Sequence, residues 1–145
     1  MKDEPVVIER TIDAEIETVW NSITDKDLMK QWYFDIPGFI PEKGLEFQFE
    51  AGDEKKKYVH LCKITEVIPT KKLSHSWRYE GYEGDSFVTW DLSPQGNKTL
   101  VKLTHKDLES FPSSNPDLAK ENFIAGWTEI IGTNLPDFLK KKQMT

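Results

Sequence analysis

Two of the three histidines, His75 and His105, alternate with apolar residues along segments that read as β-strands. Alternate residues of a strand point to the same face of a sheet, so both imidazoles are predicted to face its apolar side. An imidazole titrates near neutral pH, and in an apolar cavity it could orient a ligand or move a proton. The alternative is a structural histidine that is satisfied in the core or lies at a strand end.

His60, Cys62 and His75 could together be metal ligands, because imidazole and thiolate bind zinc and residues two apart on a strand point the same way. The sequence supplies no evident fourth ligand and no second cysteine. It therefore predicts no metal site and no cofactor. A nucleophilic thiol needs an adjacent base, and no sequence signature supplies one for Cys62. We expect a buried, inert thiol and assign no catalytic residue.

The composition limits the classes of protein to consider. The chain has 145 residues, with 19 Lys and Arg against 25 Asp and Glu, which gives a net charge of −6. An acidic chain is a poor candidate for binding nucleic acid. No apolar run approaches the roughly 18 residues of a membrane span, and the N-terminus lacks a secretory signal. We expect a soluble, cytoplasmic protein with one domain over residues 1–145.

The elements that would position these residues begin with a strand and two helices. Residues 6–12 are rich in β-branched side chains and predict a strand. Asp13 is predicted to cap the first helix, whose apolar stripe has helical spacing. The stripe consists of Ile16, Val19, Trp20 and Ile23. A second short helix is predicted over residues 25–32, with Leu28 and Trp32 on one face.

Five further short strands are predicted, separated by turns that include residues 52–54. They span residues 45–50, 58–68, 72–79, 87–92 and 100–106. The first of them alternates strictly, which predicts that Leu45, Phe47 and Phe49 face inwards. Short strands joined by tight turns imply an antiparallel sheet.

The last element is predicted to be a long helix. Asn115 followed by Pro116 is typical of a helix start. A broad apolar stripe formed by Phe123, Trp127, Ile130 and Ile131 follows, so this helix is the natural cover for one face of the sheet. Pro136 has no N–H to donate to the carbonyl of Gly132, which predicts a kink, or a break followed by a second short helix. The expected fold class is α+β.

Motifs along almost the whole chain support one family. The first helix contains Val19 and Trp20 as a pair, and Gly126 and Trp127 form a second pair in the last helix. Further motifs lie at residues 23–25, 31–33, 63–67, 72–77 and 98–105. In their order and spacing over about residues 6–140, they resemble the activator of heat-shock protein 90 ATPase homologue-like family, within the START/Bet v 1-like (SRPBCC) superfamily.

This resemblance implies a helix-grip fold, in which a curved antiparallel sheet of about six strands wraps a long C-terminal helix. The family's central hairpin usually has glycine near Cys62, and its last helix is usually uninterrupted at Pro136. An apolar cavity often lies between sheet and helix. The residues predicted to form its wall are Phe47, Phe49, Cys62, His75, Trp77, Trp90, His105, Phe123, Trp127 and Ile131.

Three functions follow from these patterns and the resemblance. The first is the binding of a small hydrophobic or aromatic molecule in the cavity, with a link to stress response. The second is a regulatory contact with a chaperone, because the family name comes from co-chaperones. The third is an enzyme similar to polyketide cyclases, in which His75 and His105 would move protons.

Overall fold

The sheet has six antiparallel strands in the order β1-β6-β5-β4-β3-β2. The computed structural model describes residues 4–52, 57–112 and 114–143, so residues 53 and 54 of the predicted turn lie outside the described residues. The strands are β1 (Val6–Ile12), β2 (Glu46–Gly52), β3 (Lys57–Ile68), β4 (Lys72–Tyr79), β5 (Ser86–Gln95) and β6 (Lys98–Lys106).

Helices α1 (Ile16–Thr24) and α2 (Lys26–Trp32) follow the first strand, as predicted. The C-terminal helix is built from α3 (Lys120–Glu129), a π-helical turn (Ile130–Asn134) and α4 (Leu135–Gln143). Two short 3₁₀ helices, Leu108–Ser110 and Pro116–Leu118, connect it to the sheet. This arrangement is the predicted α+β helix-grip fold, which is confirmed.

Two details of the N-terminal helices differ from the sequence prediction. The prediction that Asp13 caps α1 is wrong. Ala14 N donates to Ile12 O at 2.9 Å, and after this turn the helix begins at Ile16. Its N-cap position is Glu15, whose side chain makes no capping hydrogen bond. On α2 the buried face consists of Met29 and Trp32, whereas Leu28 is half-buried.

The alternation of strand β3 is interrupted once. Inward and outward side chains alternate regularly up to Ile64, and the register with β4 then shifts between Ile64 and Glu66. Such a bulge places an extra residue on one strand and reverses the parity beyond it. The inward-facing side chains before the bulge are Tyr58, His60, Cys62 and Ile64.

The C-terminal helix begins later than predicted and passes through Pro136 without a break. Asn115 caps only the short 3₁₀ helix, accepting from Asp117 N at 3.0 Å. Within the π-helical turn the hydrogen bonds lengthen to i→i+5, so that Leu135 N donates to Ile130 O. Pro136 then lies in the first turn of α4, where a missing N–H leaves no gap in the hydrogen bonding.

The core lies between the inner face of the sheet and the C-terminal helix. Ile131, Leu135 and Leu139 are almost completely buried and recur every four residues, so one face of the helix stays buried through the π-helical turn. None of the helices described is both long and apolar enough to cross a membrane.

Candidate functional site

His105 is fully buried and both of its ring nitrogens are hydrogen-bonded. Trp127 Nε1–H donates to Nδ1 at 3.0 Å, so the ring proton resides on Nε2, which donates to Ser86 Oγ at 2.8 Å. Ser86 in turn donates to the carbonyl of Trp77 at 2.6 Å. Burial, with a smaller effect from His75, lowers the pKa of His105 to about 3. His105 is therefore a neutral link between the sheet and the C-terminal helix.

His75 lies at a filled end of the interior. Its Nδ1 donates to the carbonyl of Ser76 at 2.9 Å, and burial lowers its pKa to about 4. Together with Phe47 and Trp90 it borders a void of about 10 Å³ beside α2. A void of that size holds about one water at most, so no ligand fits between these side chains.

A cavity of about 410 Å³ lies instead between strands β2 to β4 and the start of the C-terminal helix. More than half of its lining residues carry aromatic rings. The lining consists of Phe34, Ala51, Tyr58, His60, Trp77, Tyr79, Asp117, Leu118, Asn122, Phe123, Gly126, Trp127 and Ile130. The rings of Trp77 and Trp127, one from each layer, lie 5.5 Å apart.

Three of the predicted wall residues, Trp77, Phe123 and Trp127, line this cavity. Phe49 lies behind the wall, where its ring stacks on that of His60 at 4.5 Å. The structure places the remaining predicted residues elsewhere. They are Phe47, Cys62, His75, Trp90, His105 and Ile131.

The position of Cys62 in the buried row of β3 agrees with an inert thiol, because burial raises its pKa. With Phe47 it borders a second, polar depression of about 640 Å³, which is also lined by Lys63, Ser76 and Arg78. Among the described residues, no group of three or more His, Cys, Asp or Glu could hold a metal ion.

Sequence reasoning did not assign Tyr58, Tyr79 and the rim residues Asp117 and Asn122 to the cavity, and it considered His60 only as a metal ligand. Tyr58 and His60 share the parity of Cys62 on β3, and this signal could have identified them. Asp117 and Asn122 come from the 3₁₀ helix and from the start of α3. No sequence pattern indicates that these two segments lie beside the sheet.

The polar groups of the cavity are held by hydrogen bonds. Tyr58 donates to Asp117 Oδ2 at 2.8 Å, and Asn115 Nδ2 donates to the Tyr58 hydroxyl at 3.3 Å. Trp77 Nε1 donates to the Tyr79 hydroxyl at 2.9 Å, and burial raises the pKa of Tyr79. No residue in the described ranges accepts the Tyr79 proton, so it is available to a ligand.

His60 is the third polar residue of the wall. Its Nδ1 donates to the carbonyl of Tyr58 at 3.0 Å, and burial lowers its pKa to about 4. The ring is therefore neutral near pH 7. No lysine or arginine occurs among the described lining residues, and Asp117 at the exposed rim carries the cavity's formal charge.

The sequence profile of the family described as "Activator of Hsp90 ATPase homolog 1-like protein" matches residues 13–140 of this chain. Among solved structures, protein MLL2253 from Mesorhizobium loti is 23% identical with a TM-score of 0.77, over 95% of this chain and 98% of that chain. CalU16 from Micromonospora echinospora is 26% identical with a TM-score of 0.70, over 93% of this chain and 73% of that chain.

DynU16, a protein from the dynemicin biosynthetic locus, is 21% identical with a TM-score of 0.77. The match covers 95% of this chain but only 48% of DynU16, so this chain spans about half the length of that relative. A comparison with curated proteins gave no match.

Proposed function

The chain belongs to the Activator of Hsp90 ATPase homolog 1-like family, and from this premise we propose that it binds a small, mainly aromatic molecule between strands β2 to β4 and the C-terminal helix. The observation that carries the proposal is the aromatic cavity of about 410 Å³. Small-molecule sites typically enclose about 300–1,000 Å³, so the cavity accommodates a compact ligand rather than a long lipid chain.

The wall favours a flat, apolar ligand. The rings of Trp77 and Trp127 in the wall meet at 58°, so the cavity offers both ring faces and ring edges. Aromatic pairs prefer offset-stacked or edge-to-face contacts, and each adds about 0.5–1.5 kcal/mol beyond the burial of apolar area. A ligand ring packed against this wall would gain the same contacts.

Specificity would come from few polar groups. The free proton of the Tyr79 hydroxyl would donate to a carbonyl, ether or hydroxyl oxygen of the ligand. Leaving a buried donor unpaired costs about 1–3 kcal/mol, so a ligand with such an oxygen is favoured over a pure hydrocarbon. We therefore assign ligand contact to Tyr79, His60, Trp77 and Trp127, and a supporting role to His105.

Native mass spectrometry of freshly purified protein, compared with the mass after denaturation, is the first test. An excess mass that is lost on denaturation would reveal a bound molecule. Titration with the neutral fluorescent probe N-phenyl-1-naphthylamine then measures the cavity itself. Saturable binding is expected; no bound molecule and no probe binding would contradict the proposal.

Two leucine variants locate the probe. A Cβ on Gly126 would have no heavy atom within 4 Å, so the leucine of Gly126→Leu enters the space beside the cavity. We expect probe affinity to fall about tenfold or more, which corresponds to about 1.4 kcal/mol or more. Ala125→Leu, on the neighbouring exposed position of α3, is the matched control and should bind the probe like the unmodified protein.

The enzymatic alternative requires a proton-moving group that reaches the ligand. Both nitrogens of His105 are occupied by Trp127 and Ser86, and His75 borders the void of about 10 Å³. Ligand binding therefore ranks above proton transfer by these two histidines. A regulatory contact with a chaperone stays a prediction from the resemblance. It would be contradicted if the protein had no effect on the ATPase turnover of a chaperone.

A further inference from the structure

We infer that the cavity selects its ligand by charge: an aromatic molecule with a positively charged group at its polar end binds more tightly than its neutral analogue, and the anionic analogue binds most weakly. This inference rests on the proposed function. It identifies the ligand class as an aromatic amine whose ring system enters the cavity while its ammonium stays at the rim beside Asp117.

The first observation is that Asp117 is held in place at the rim. Its Oδ2 accepts from the Tyr58 hydroxyl at 2.8 Å, and its backbone N–H donates to Asn115 Oδ1 at 3.0 Å. Its backbone carbonyl also accepts from Asn122 Nδ2 at 3.3 Å. The carboxylate is thus oriented by side chains from β3 and from both sides of the 3₁₀ helix before any ligand arrives.

The second observation concerns the charges around this carboxylate. Among the described residues no lysine or arginine makes an ion pair with Asp117, and none lines the cavity. His60, the nearest candidate cation in the wall, is neutral near pH 7 because it is buried. A ligand that brings a positive charge would be attracted to Asp117, whereas a carboxylate would meet a like charge.

The third observation is the aromatic wall next to the rim. Tyr58 and Tyr79, whose rings lie 5.5 Å apart, come together at the end of the cavity where Tyr58 bonds to Asp117. Ring faces carry partial negative charge, so they attract cations and disfavour anions. Because Asp117 is exposed, an ammonium beside it keeps part of its hydration and avoids the cost of complete burial.

Isothermal titration calorimetry at pH 7 and low salt tests the inference with three ligands that share a 2-naphthylmethyl group. They are 2-naphthylmethylamine, which is protonated at this pH, 2-naphthylmethanol and 2-naphthylacetate. An exposed ion pair and a cation–π contact are each modest, so we expect about threefold to tenfold tighter binding of the amine than of the alcohol. The acetate should bind more weakly than the alcohol by a similar factor.

Asp117→Asn removes the charge and keeps an oxygen that accepts from Tyr58. The ratio of the amine's affinity to the alcohol's affinity should fall to about one. Glu121→Gln alters the net charge equally but lies outside the cavity lining, so it should preserve the order of the three ligands.

The outcomes separate the two proposals. If the alcohol binds but the amine binds no more tightly, or if Asp117→Asn leaves the order unchanged, charge selection is wrong and ligand binding stands. If none of the three ligands binds, and N-phenyl-1-naphthylamine also fails to bind, both proposals are wrong.

Discussion

The indole N–H of Trp127 lies 3.0 Å from Nδ1 of His105, and this hydrogen bond joins the C-terminal helix to strand β6. The same imidazole continues through Ser86 to the backbone of Trp77. Trp77 and Trp127 also line the aromatic cavity, with their rings 5.5 Å apart. One buried chain of hydrogen bonds therefore links two tryptophans that form part of the cavity wall.

Trp127→Phe should destabilise the fold more than the loss of indole atoms alone explains. The variant leaves Nδ1 of the fully buried His105 without a donor, and an unpaired buried group costs about 1–3 kcal/mol. Trp90→Phe is the matched control, because Trp90 is equally buried and the described residues show no side-chain hydrogen bond to it. Urea unfolding should give a free energy of unfolding about 1–3 kcal/mol lower for Trp127→Phe than for Trp90→Phe. Equal values for the two variants would show that the bond contributes nothing.

Acid should destabilise the protein well before its carboxylates are protonated. Burial lowers the pKa of His60 and His75 to about 4 and that of His105 to about 3, whereas each ionises near 6.5 in the unfolded chain. Between these values the unfolded state binds more protons, so the free energy of unfolding falls as pH decreases. The loss is about 1.4 kcal/mol per pH unit for each histidine and levels off below about pH 3–4.

Urea unfolding between pH 7.5 and 4.5 measures this effect. The denaturation midpoint should fall steadily below about pH 6.5. Replacement of one histidine, as in His75→Gln, should reduce the slope of the denaturation midpoint against pH, whatever the variant's stability at pH 7.5. A midpoint that stays constant down to pH 5 would mean that the histidines are not held neutral in the folded state.

The sequence predicted the fold well because the sheet's two faces differ strongly in polarity. Trp90 and Leu103 are opposite each other in the register of β5 and β6, and alternation alone predicted that both face inwards. Pro136 predicted a kink or a break, but the helix continues past it, and no sequence pattern predicted the π-helical turn at Ile130–Asn134. That turn depends on keeping Ile131 and Leu135 on the sheet, which is a tertiary constraint.

The candidate site was less predictable for a physical reason. Alternation along β4 shows that His75 and Trp77 both face inwards. It does not show that the space beside His75 is filled by side chains whereas the space beside Trp77 is open. Filling depends on α2, which packs over the His75 end, and on where the 3₁₀ helix with Asp117 lies. These placements arise from contacts between segments far apart in the chain, and no local pattern encodes them.

Gly84→Ala should be among the more damaging single-methyl changes. A Cβ at Gly84, where φ is +108°, would lie 2.6 Å from the carbonyl oxygen of Ser110 and 2.6 Å from Cδ1 of Phe111. Ser110 has little freedom to retreat, because its Oγ accepts from Asp85 N at 2.9 Å. We expect thermal and urea unfolding to show a loss of about 2–4 kcal/mol.

Gly81→Ala is the control for this prediction. Gly81 also has a positive φ of +82°, but a Cβ there meets no heavy atom within 4 Å. Its cost is limited to backbone strain of about 1–2 kcal/mol. Similar losses for the two variants would indicate that backbone conformation, rather than the contact with Ser110, makes glycine necessary at position 84.

Replacement of Gly126 is expected to have opposite effects on stability and on ligand binding. It lies inside helix α3, where glycine is about 0.5–1 kcal/mol less favourable than alanine, and a Cβ would contact nothing within 4 Å. Gly126→Ala should therefore raise the free energy of unfolding by about 0.5–1 kcal/mol. The added methyl group also projects beside the cavity, so we expect weaker binding of N-phenyl-1-naphthylamine.

Urea unfolding and probe titration on the same preparation separate the two effects. Gly132→Ala is the companion variant, because it lies on the same helix outside the cavity lining and its Cβ would only touch Nη1 of Arg10 at 3.8 Å. It should leave probe affinity unchanged. If Gly126→Ala stabilises the helix without affecting the probe, the open space at Gly126 is not part of the binding site, and the ligand enters elsewhere along the wall.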